Sequence, residues 1–254
     1  MTQLPAEFLT RPLSHRGYHD VDNGRPENSR AAIVAAINTG YGIEIDVQIS
    51  ADRKAMVFHD DILDRLTGEI GLVNARAASD LGAIPLLGGA EGIPTLPEVL
   101  DLVNGQVPLL IEIKDQDGAL GENIGDLEAS VAQALQDYTG AVAVMSFNPH
   151  SVADMAKRAP NVSRGLVTCG FAPEDWPNLP PKRGTELATI PDYDRVRACF
   201  ISHDVNDLAN PRVHALKERG AAILCWTVRS VEQEMDARAV VDNITFEGYG
   251  AMLP

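Results

Sequence analysis

Short apolar runs alternate with longer amphipathic stretches along most of the chain. Eight runs read as strands: Leu13–Arg16, Gly42–Ile49, Leu109–Lys114, Val142–Phe147, Arg164–Thr168, Cys199–His203, Ala222–Val228 and Val240–Phe246. Helical patterns fall between them, at Ser29–Thr39, Leu96–Val103, Leu127–Asp137, Pro149–Arg158, Arg183–Val196, Pro211–Arg219 and Val231–Ala237. A repeated strand–helix rhythm implies a parallel sheet covered by helices. Eight such strands in 254 residues predict an α/β fold closed into a (β/α)₈ TIM barrel, a single domain over residues 1–254. Residues 60–94 break the rhythm with six glycines and read as a small inserted subdomain or long loop between the second and third strands. Residues 170–182, with Pro173, Pro177, Pro180 and Pro181, read as a second irregular loop. Thr95-Leu96-Pro97-Glu98 is a capping box, with proline in the first turn where its missing N–H costs little.

Two strands carry charge in an unusual place. In Gly42–Ile49, period two puts Glu44, Asp46 and Gln48 on one face and Ile43, Ile45 and Val47 on the other. In Leu109–Lys114, Glu112 and Lys114 share a face opposite Ile111 and Ile113. Half-exposed antiparallel strands also alternate this way. Parallel strands, however, are normally covered on both faces, so here the charged face points into the barrel, near its carboxyl-terminal mouth. Buried carboxylates are costly unless paired or bound to metal. Glu44, Asp46 and Glu112 together form an all-oxygen set suited to a hard divalent cation such as Mg²⁺ or Ca²⁺.

His15 and His59 each end a short apolar run. Either is a structural histidine or, given an imidazole pKa near neutrality, one member of a general acid–base pair. Arg16 offers a planar fork that matches phosphate oxygens. His203 ends the sixth strand and is read either as site rim or as structural; His19, His150 and His214 read as solvated.

Charge and cysteine content narrow the function classes. Twenty-one Lys and Arg against 36 Asp and Glu give a net charge of −15, which repels nucleic acid and anionic lipid at long range. A nucleic-acid partner and stable membrane anchoring are therefore not expected. With a divalent ion, the candidate site reverses that sign locally and attracts a small phosphodiester. The three cysteines, Cys169, Cys199 and Cys225, form no C-x-x-C pair and read as buried thiols of a reducing compartment. With no signal-peptide pattern and no run of about 20 apolar residues, the expected location is the cytoplasm. The sequence sets no oligomeric state.

The ordered series His15-Arg16-Gly17, Pro26-Glu27-Asn28-Ser29, Glu44-Ile45-Asp46-Val47, His59-Asp60, Ile93-Pro94-Thr95-Leu96 and Ile111-Glu112-Ile113-Lys114 resembles the glycerophosphodiester phosphodiesterase family. The resemblance covers residues 13–114 closely and loosens beyond, at Ser146-Phe147, His203 and Trp226-Thr227-Val228. It implies a (β/α)₈ barrel with an insertion after His59, a metal ion on Glu44, Asp46 and Glu112, and His15 and His59 as acid and base. It implies Arg16 and Lys114 as phosphate ligands, and it implies attack on phosphorus by a hydroxyl of the substrate's own glycerol before water opens the cyclic phosphate. Phe147 and Trp226 end strands and are candidates to wall the alcohol pocket. Asn28 lines the metal or phosphate site, or else Asn28 or Ser29 caps the helix that follows. Asp60 is read as orienting a histidine or loop.

The chain departs from the family pattern at three places assigned to the alcohol side. Asp115-Gln116-Asp117-Gly118 lacks an aromatic residue, Arg229 stands where asparagine is usual, and Thr245-Phe246-Glu247 replaces a Thr-Asp pair. The expected reaction is metal-dependent hydrolysis of glycerophosphodiesters. The alternatives are a phosphodiesterase for sugar phosphodiesters or lysophospholipids and, last, a barrel that only binds.

Overall fold

The computed structural model describes residues 2–253. In chain order its elements are α1 (Glu7–Thr10), β1 (Leu13–Ser14), α2 (Arg30–Thr39), β2 (Gly42–Ile49), β3 (Ala55–Val57), α3 (Ala78–Ala83), α4 (Leu96–Val103), β4 (Leu109–Ile113), α5 (Asp126–Ala134), β5 (Val142–Ser146), α6 (Pro149–Arg158), β6 (Ser163–Thr168), α7 (Pro181–Leu187), β7 (Phe200–Asp204), α8 (Pro211–Glu218), β8 (Ala222–Val228), α9 (Val231–Arg238) and β9 (Asn243–Phe246). Eight strands run parallel in the order β1-β2-β4-β5-β6-β7-β8-β9, and β1 pairs with both β2 and β9, so the ring closes as the rhythm of the sequence predicts. β3 lies outside the ring, antiparallel to β2, with Val47 opposite Val57.

Alternation along the strands builds two apolar layers. Outward residues such as Ile43, Ile45, Ile111, Val144 and Ile223 pack against the helices. Inward residues at the lower half of the ring, Leu13, Leu110, Ala143, Phe200 and Leu224, fill its interior, and Phe8 of α1 plugs the bottom. Strand β4 shows the division of labour along one face: Leu110 lies in the apolar plug, while Glu112 is higher, at the mouth. Burying each aliphatic side chain of these layers contributes roughly 1.5–3 kcal/mol, which fixes the upper rim on which the polar residues stand.

Two expectations need correction, and one strand is additional. The helix expected over Arg183–Val196 is α7, ending at Leu187; Ile190 takes a left-handed φ of 48° and Pro191 has no N–H to continue the ladder. The strand expected over Val240–Phe246 begins at Asn243, because Val240 and Val241 close the turn after α9 by bonding back to Ala237. The extra strand β3 reads in sequence only as a short apolar run.

Residues 60–94 pack on themselves: Leu63, Val73, Leu81, Ile84, Leu86 and Ile93 cluster with Met56 and Phe58. Gly92 is required there, since a Cβ would overlap the carbonyl of Gly82. The capping box forms, with Thr95 N–H donating to Glu98 Oε2 at 2.7 Å, a cap worth about 1 kcal/mol. Cys169 and Cys225 are buried, Cys199 is half-buried, and none is bridged. No helix among the described residues is long and apolar enough to cross a membrane.

Candidate active site

The carboxyl-terminal mouth of the ring holds a cavity of about 130 Å³, lined by His15, Arg16, Glu44, Asp46, His59, Glu112, Lys114, Phe147, Trp226 and Arg229 among others. The residues expected to act as acid and base, metal ligands, phosphate ligands and alcohol walls all reach it, whereas Asn28 and His203 do not. Parallel pairing of Asp46 with Glu112 sets those two side chains abreast, and Glu44 sits one inward step lower on β2. Ligand oxygens of Glu44, Asp46 and Glu112 lie within 4.8 Å of one another, and all three residues are buried. Gln48, the third polar residue of the β2 inner face, serves the loop instead: its Nε2 donates to the His59 carbonyl at 3.0 Å.

Opposite charge threads this cluster. Lys114 Nζ lies 2.9 Å from Asp46 Oδ1 and 2.8 Å from Glu112 Oε1. Arg16 Nε lies 3.4 Å from Asp46 Oδ2, and its backbone N–H donates to Glu44 Oε2 at 3.0 Å. Burial would raise the Asp46 pKa, but Lys114, with His59, Arg16 and His15 behind it, holds that carboxyl far below the usual range. For Glu44 the balance tips the other way. Burial, then Asp46 and Glu112, push its pKa well up, and Glu44 Oε1 has no hydrogen-bond partner among the described residues. An orphaned buried carboxylate oxygen beside two further carboxylates is a donor set with room for one hard cation. The residues therefore fit a divalent ion.

Backbone geometry delivers Arg16. Both Arg16 and Asn28 adopt left-handed φ, 54° and 58°, and Asn28 N–H donates to the Arg16 carbonyl at 2.8 Å. Gly17 lets the turn pass, since a Cβ there would press on Ala32 at 3.0 Å. The two readings of Asn28 and Ser29 divide cleanly. Ser29 caps α2, accepting from Ala32 N–H, and Asn28 clamps Asp46 from both ends, Nδ2 to Oδ2 at 3.0 Å and Asp46 N–H to Oδ1 at 3.2 Å.

Each candidate histidine is backed by a carboxylate. His59 Nδ1 meets Asp60 Oδ1 at 2.6 Å. His15 Nδ1 meets Glu247 Oε2 at 2.5 Å, and its Nε2 lies 4.0 Å from Glu44 Oε2. Burial lowers the pKa of His15, which favours the neutral ring near pH 7. Asp60 and Glu27 are joined by Arg65, which donates two hydrogen bonds to each at 2.8–3.0 Å. Glu27 in turn accepts from Arg16 Nη1 at 2.6 Å. A continuous line of alternating charge thus runs from Arg16 to His59.

Of the two readings of His203 the structural one holds: it is fully buried, held by Thr168 Oγ1 at 2.7 Å and Asp207 Oδ2 at 3.1 Å, and does not line the cavity. One expectation fails at this rim. His19 is half-buried and faces Glu247 at 3.6 Å, so it is not a solvated loop residue. Glu247, placed by sequence on the alcohol side, turns onto His15. In the proline-rich loop Trp176 packs on Phe147 at 4.9 Å, and Phe147 also meets Trp226 edge-on at 5.5 Å. Arg65 escaped sequence reasoning because a lone arginine in a glycine-rich stretch carries no periodicity. Glu247 had a usable signal: it is the first residue beyond the last barrel strand, where such folds place their chemistry.

Comparison with known proteins points the same way. The model of the glycerophosphoryl diester phosphodiesterase family matches residues 15–245. A glycerophosphodiester phosphodiesterase of Caldanaerobacter subterraneus subsp. tengcongensis is 30% identical over 246 residues, spanning 92% of this chain and 93% of its own. Among solved structures, an Oleispira antarctica phosphodiesterase in complex with the product sn-glycerol-3-phosphate superposes with a TM-score of 0.76 at 22% identity, covering 94% of this chain and 93% of that one. A glycerophosphodiester phosphodiesterase of Agrobacterium tumefaciens gives a TM-score of 0.71 at 23% identity, covering 94% and 96%.

Proposed function

Since the chain belongs to the glycerophosphoryl diester phosphodiesterase family and is thus a phosphodiester hydrolase, we propose that it cleaves glycerophosphodiesters to an alcohol and glycerol phosphate. The observation that carries this reading is the convergence of two carboxylate-backed histidines, three carboxylates and the cationic side chains of Arg16, Lys114 and Arg229 on one cavity. The product bound in the Oleispira antarctica enzyme supports glycerol phosphate as the product here.

Glu44, Asp46 and Glu112 would hold a divalent ion, Mg²⁺ or Ca²⁺, which supplies charge stabilisation at the phosphoryl oxygens when bound. Arg16 and Lys114 orient the phosphate and balance the charge that builds on it. One histidine takes the proton of the attacking hydroxyl and the other gives a proton to the departing alcohol; His15 and His59 fill these two roles. Attack by the substrate's own glycerol hydroxyl keeps the nucleophile within reach and removes much of the entropic cost, with water then opening the cyclic phosphate. Phe147 and Trp226 wall the alcohol. The work is that of a single barrel domain with an insertion at about residues 60–94, acting in the cytoplasm; three widely spaced cysteines, none in a C-x-x-C pair, support that setting.

Product release from a panel of glycerophosphodiesters, sugar phosphodiesters and lysophospholipids, with and without chelator, tests the reading. Glycerophosphodiesters should be cleaved fastest, and chelation should abolish turnover until Mg²⁺ or Ca²⁺ is returned. Full turnover after exhaustive chelation overturns the metal assignment, and preference for a sugar diester or lysolipid overturns the substrate class.

A further inference from the structure

We propose that Glu247 is a positioning residue for this reaction: its carboxylate fixes the ring orientation and tautomer of His15, and Arg229 fixes the carboxylate. The inference rests on His15 acting in proton transfer, as set out above. Glu247 follows β9 directly, and β9 lies beside β1 in the closed ring. Backbone bonds lock both residues in register: His15 N–H donates to the Phe246 carbonyl at 2.9 Å, and Glu247 N–H to the Val228 carbonyl at 3.0 Å. The side chain then uses both oxygens. Oε2 meets His15 Nδ1 at 2.5 Å, and Oε1 forms an ion pair with Arg229 Nη2 at 2.8 Å. His19 Nε2, 3.6 Å from Oε2, is beyond hydrogen-bond reach and adds only a neighbouring imidazole.

A carboxylate that accepts from Nδ1–H leaves Nε2 as the nitrogen free to exchange a proton. In His15 that nitrogen is the one turned toward Glu44 and the cavity. During transfer, Nε2 gains or loses one proton while Nδ1 keeps its own and Glu247 stays ionised. The arrangement repeats on the other side of the cavity, where Asp60 accepts from His59 and Arg65 grips Asp60. The two arms differ in origin. Asp60 is the neighbour of its histidine in sequence, whereas Glu247 comes from 232 residues away. A carboxylate meant only to pair with Arg229 at the surface has no need to place its second oxygen on an imidazole whose side chain is only 13% exposed.

Two readouts on the full chain test this. The first is the tautomer of His15 by ¹⁵N NMR at about pH 8, above the ordinary imidazole pKa, with the resonance assigned by its loss in His15→Gln. The wild type should show Nδ1–H, and Glu247→Ala should shift the ring toward Nε2–H. The second is kinetics. Glu247→Ala should lower kcat at least about tenfold with KM within about twofold, since general acid–base catalysis contributes about 10²–10⁴ and orientation sustains it. Glu247→Asp should restore part of the loss, and Arg229→Met should fall between wild type and Glu247→Ala. An Nε2–H ring in the wild type overturns the proposal. So does an unchanged kcat in Glu247→Ala, or a loss that only tracks the unfolded fraction by circular dichroism. If the wild-type chain cleaves none of the diesters, the functional reading fails, and the NMR result still decides the role of Glu247.

Discussion

Replacing Lys114 with methionine sets the lysine's charge against that of a bound cation. Methionine keeps most of the apolar stem and removes the ammonium that lies 2.9 Å from Asp46 and 2.8 Å from Glu112. Counting Glu44, Asp46 and Glu112 against Arg16 and Lys114, the cluster goes from a formal charge of −1 to −2. Stripping one partner from a buried pair costs about 3–5 kcal/mol, and proton uptake by a carboxyl holds the loss to the lower end. At about 3 kcal/mol, and about 2–4 °C per kcal/mol for a chain of this size, Tm should fall by about 6–12 °C in chelator. A divalent ion should reverse much of this, since a ligand at 100 times its Kd adds about 2.7 kcal/mol. The variant should also respond to lower Mg²⁺ or Ca²⁺ concentrations than the wild type, having one competing cation fewer. Thermal unfolding followed by circular dichroism, with chelator and across a cation titration, measures both effects. An equal deficit in chelator and in saturating cation would refute the shared-charge reasoning.

Arg16→Lys keeps the charge and loses the planar fork, so kcat/KM should drop about tenfold or more if one contact of about 1.5 kcal/mol is lost; an unchanged value would show that Arg16 does not touch the phosphate. His15→Ala and His59→Ala should each remove most turnover and the double variant little more, because both serve one proton-transfer cycle; a nitrophenyl diester, which needs no proton to depart, should rescue only the acid's variant. Asp46, Asp60, Glu27 and Glu247 have folded pKa values below their unfolded ones, so the stability they contribute is present above about pH 4–5 and lost as pH falls, while raised Glu44 acts in the opposite sense. Asp60→Asn should therefore flatten the acid side of the Tm–pH curve, and an unaltered slope would count against a depressed Asp60. Burial pushes the thiols of Cys169 and Cys225 up to about 11 and about 12, so native alkylation at about pH 8 should leave both unmodified by mass spectrometry.

The ring was legible in the sequence because its strands obey a simple rule. A parallel strand covered on both faces is apolar throughout unless its inner face meets a ligand, so Glu44, Asp46 and Glu112 stood out. The capping box at Thr95 was legible for a similar reason, since its signal is local. What escaped is what local pattern does not hold. α7 was overdrawn because apolar spacing continued past Leu187 while Pro191 forbade the helix. β3 is too short for its period to register. His203 lies next to the end of β7, much as His15 and His59 lie near strand ends, yet Thr168 and Asp207 take both of its nitrogens. Arg65 and Glu247 act through contacts 38 and 232 residues away, visible only after the ring has closed.

That closure has a consequence during synthesis. β1 can pair with β2 soon after both leave the ribosome, but its other edge waits for β9. At about 5–20 residues per second, the 232 residues between His15 and Glu247 take roughly 12–46 s to emerge. For that interval the nascent chain is an open, curved sheet with an unpaired edge on β1 and a second on its newest strand. Such edges bind one another across neighbouring chains on a polysome unless they are shielded. Docking of β9 between β8 and β1 removes both edges in one step.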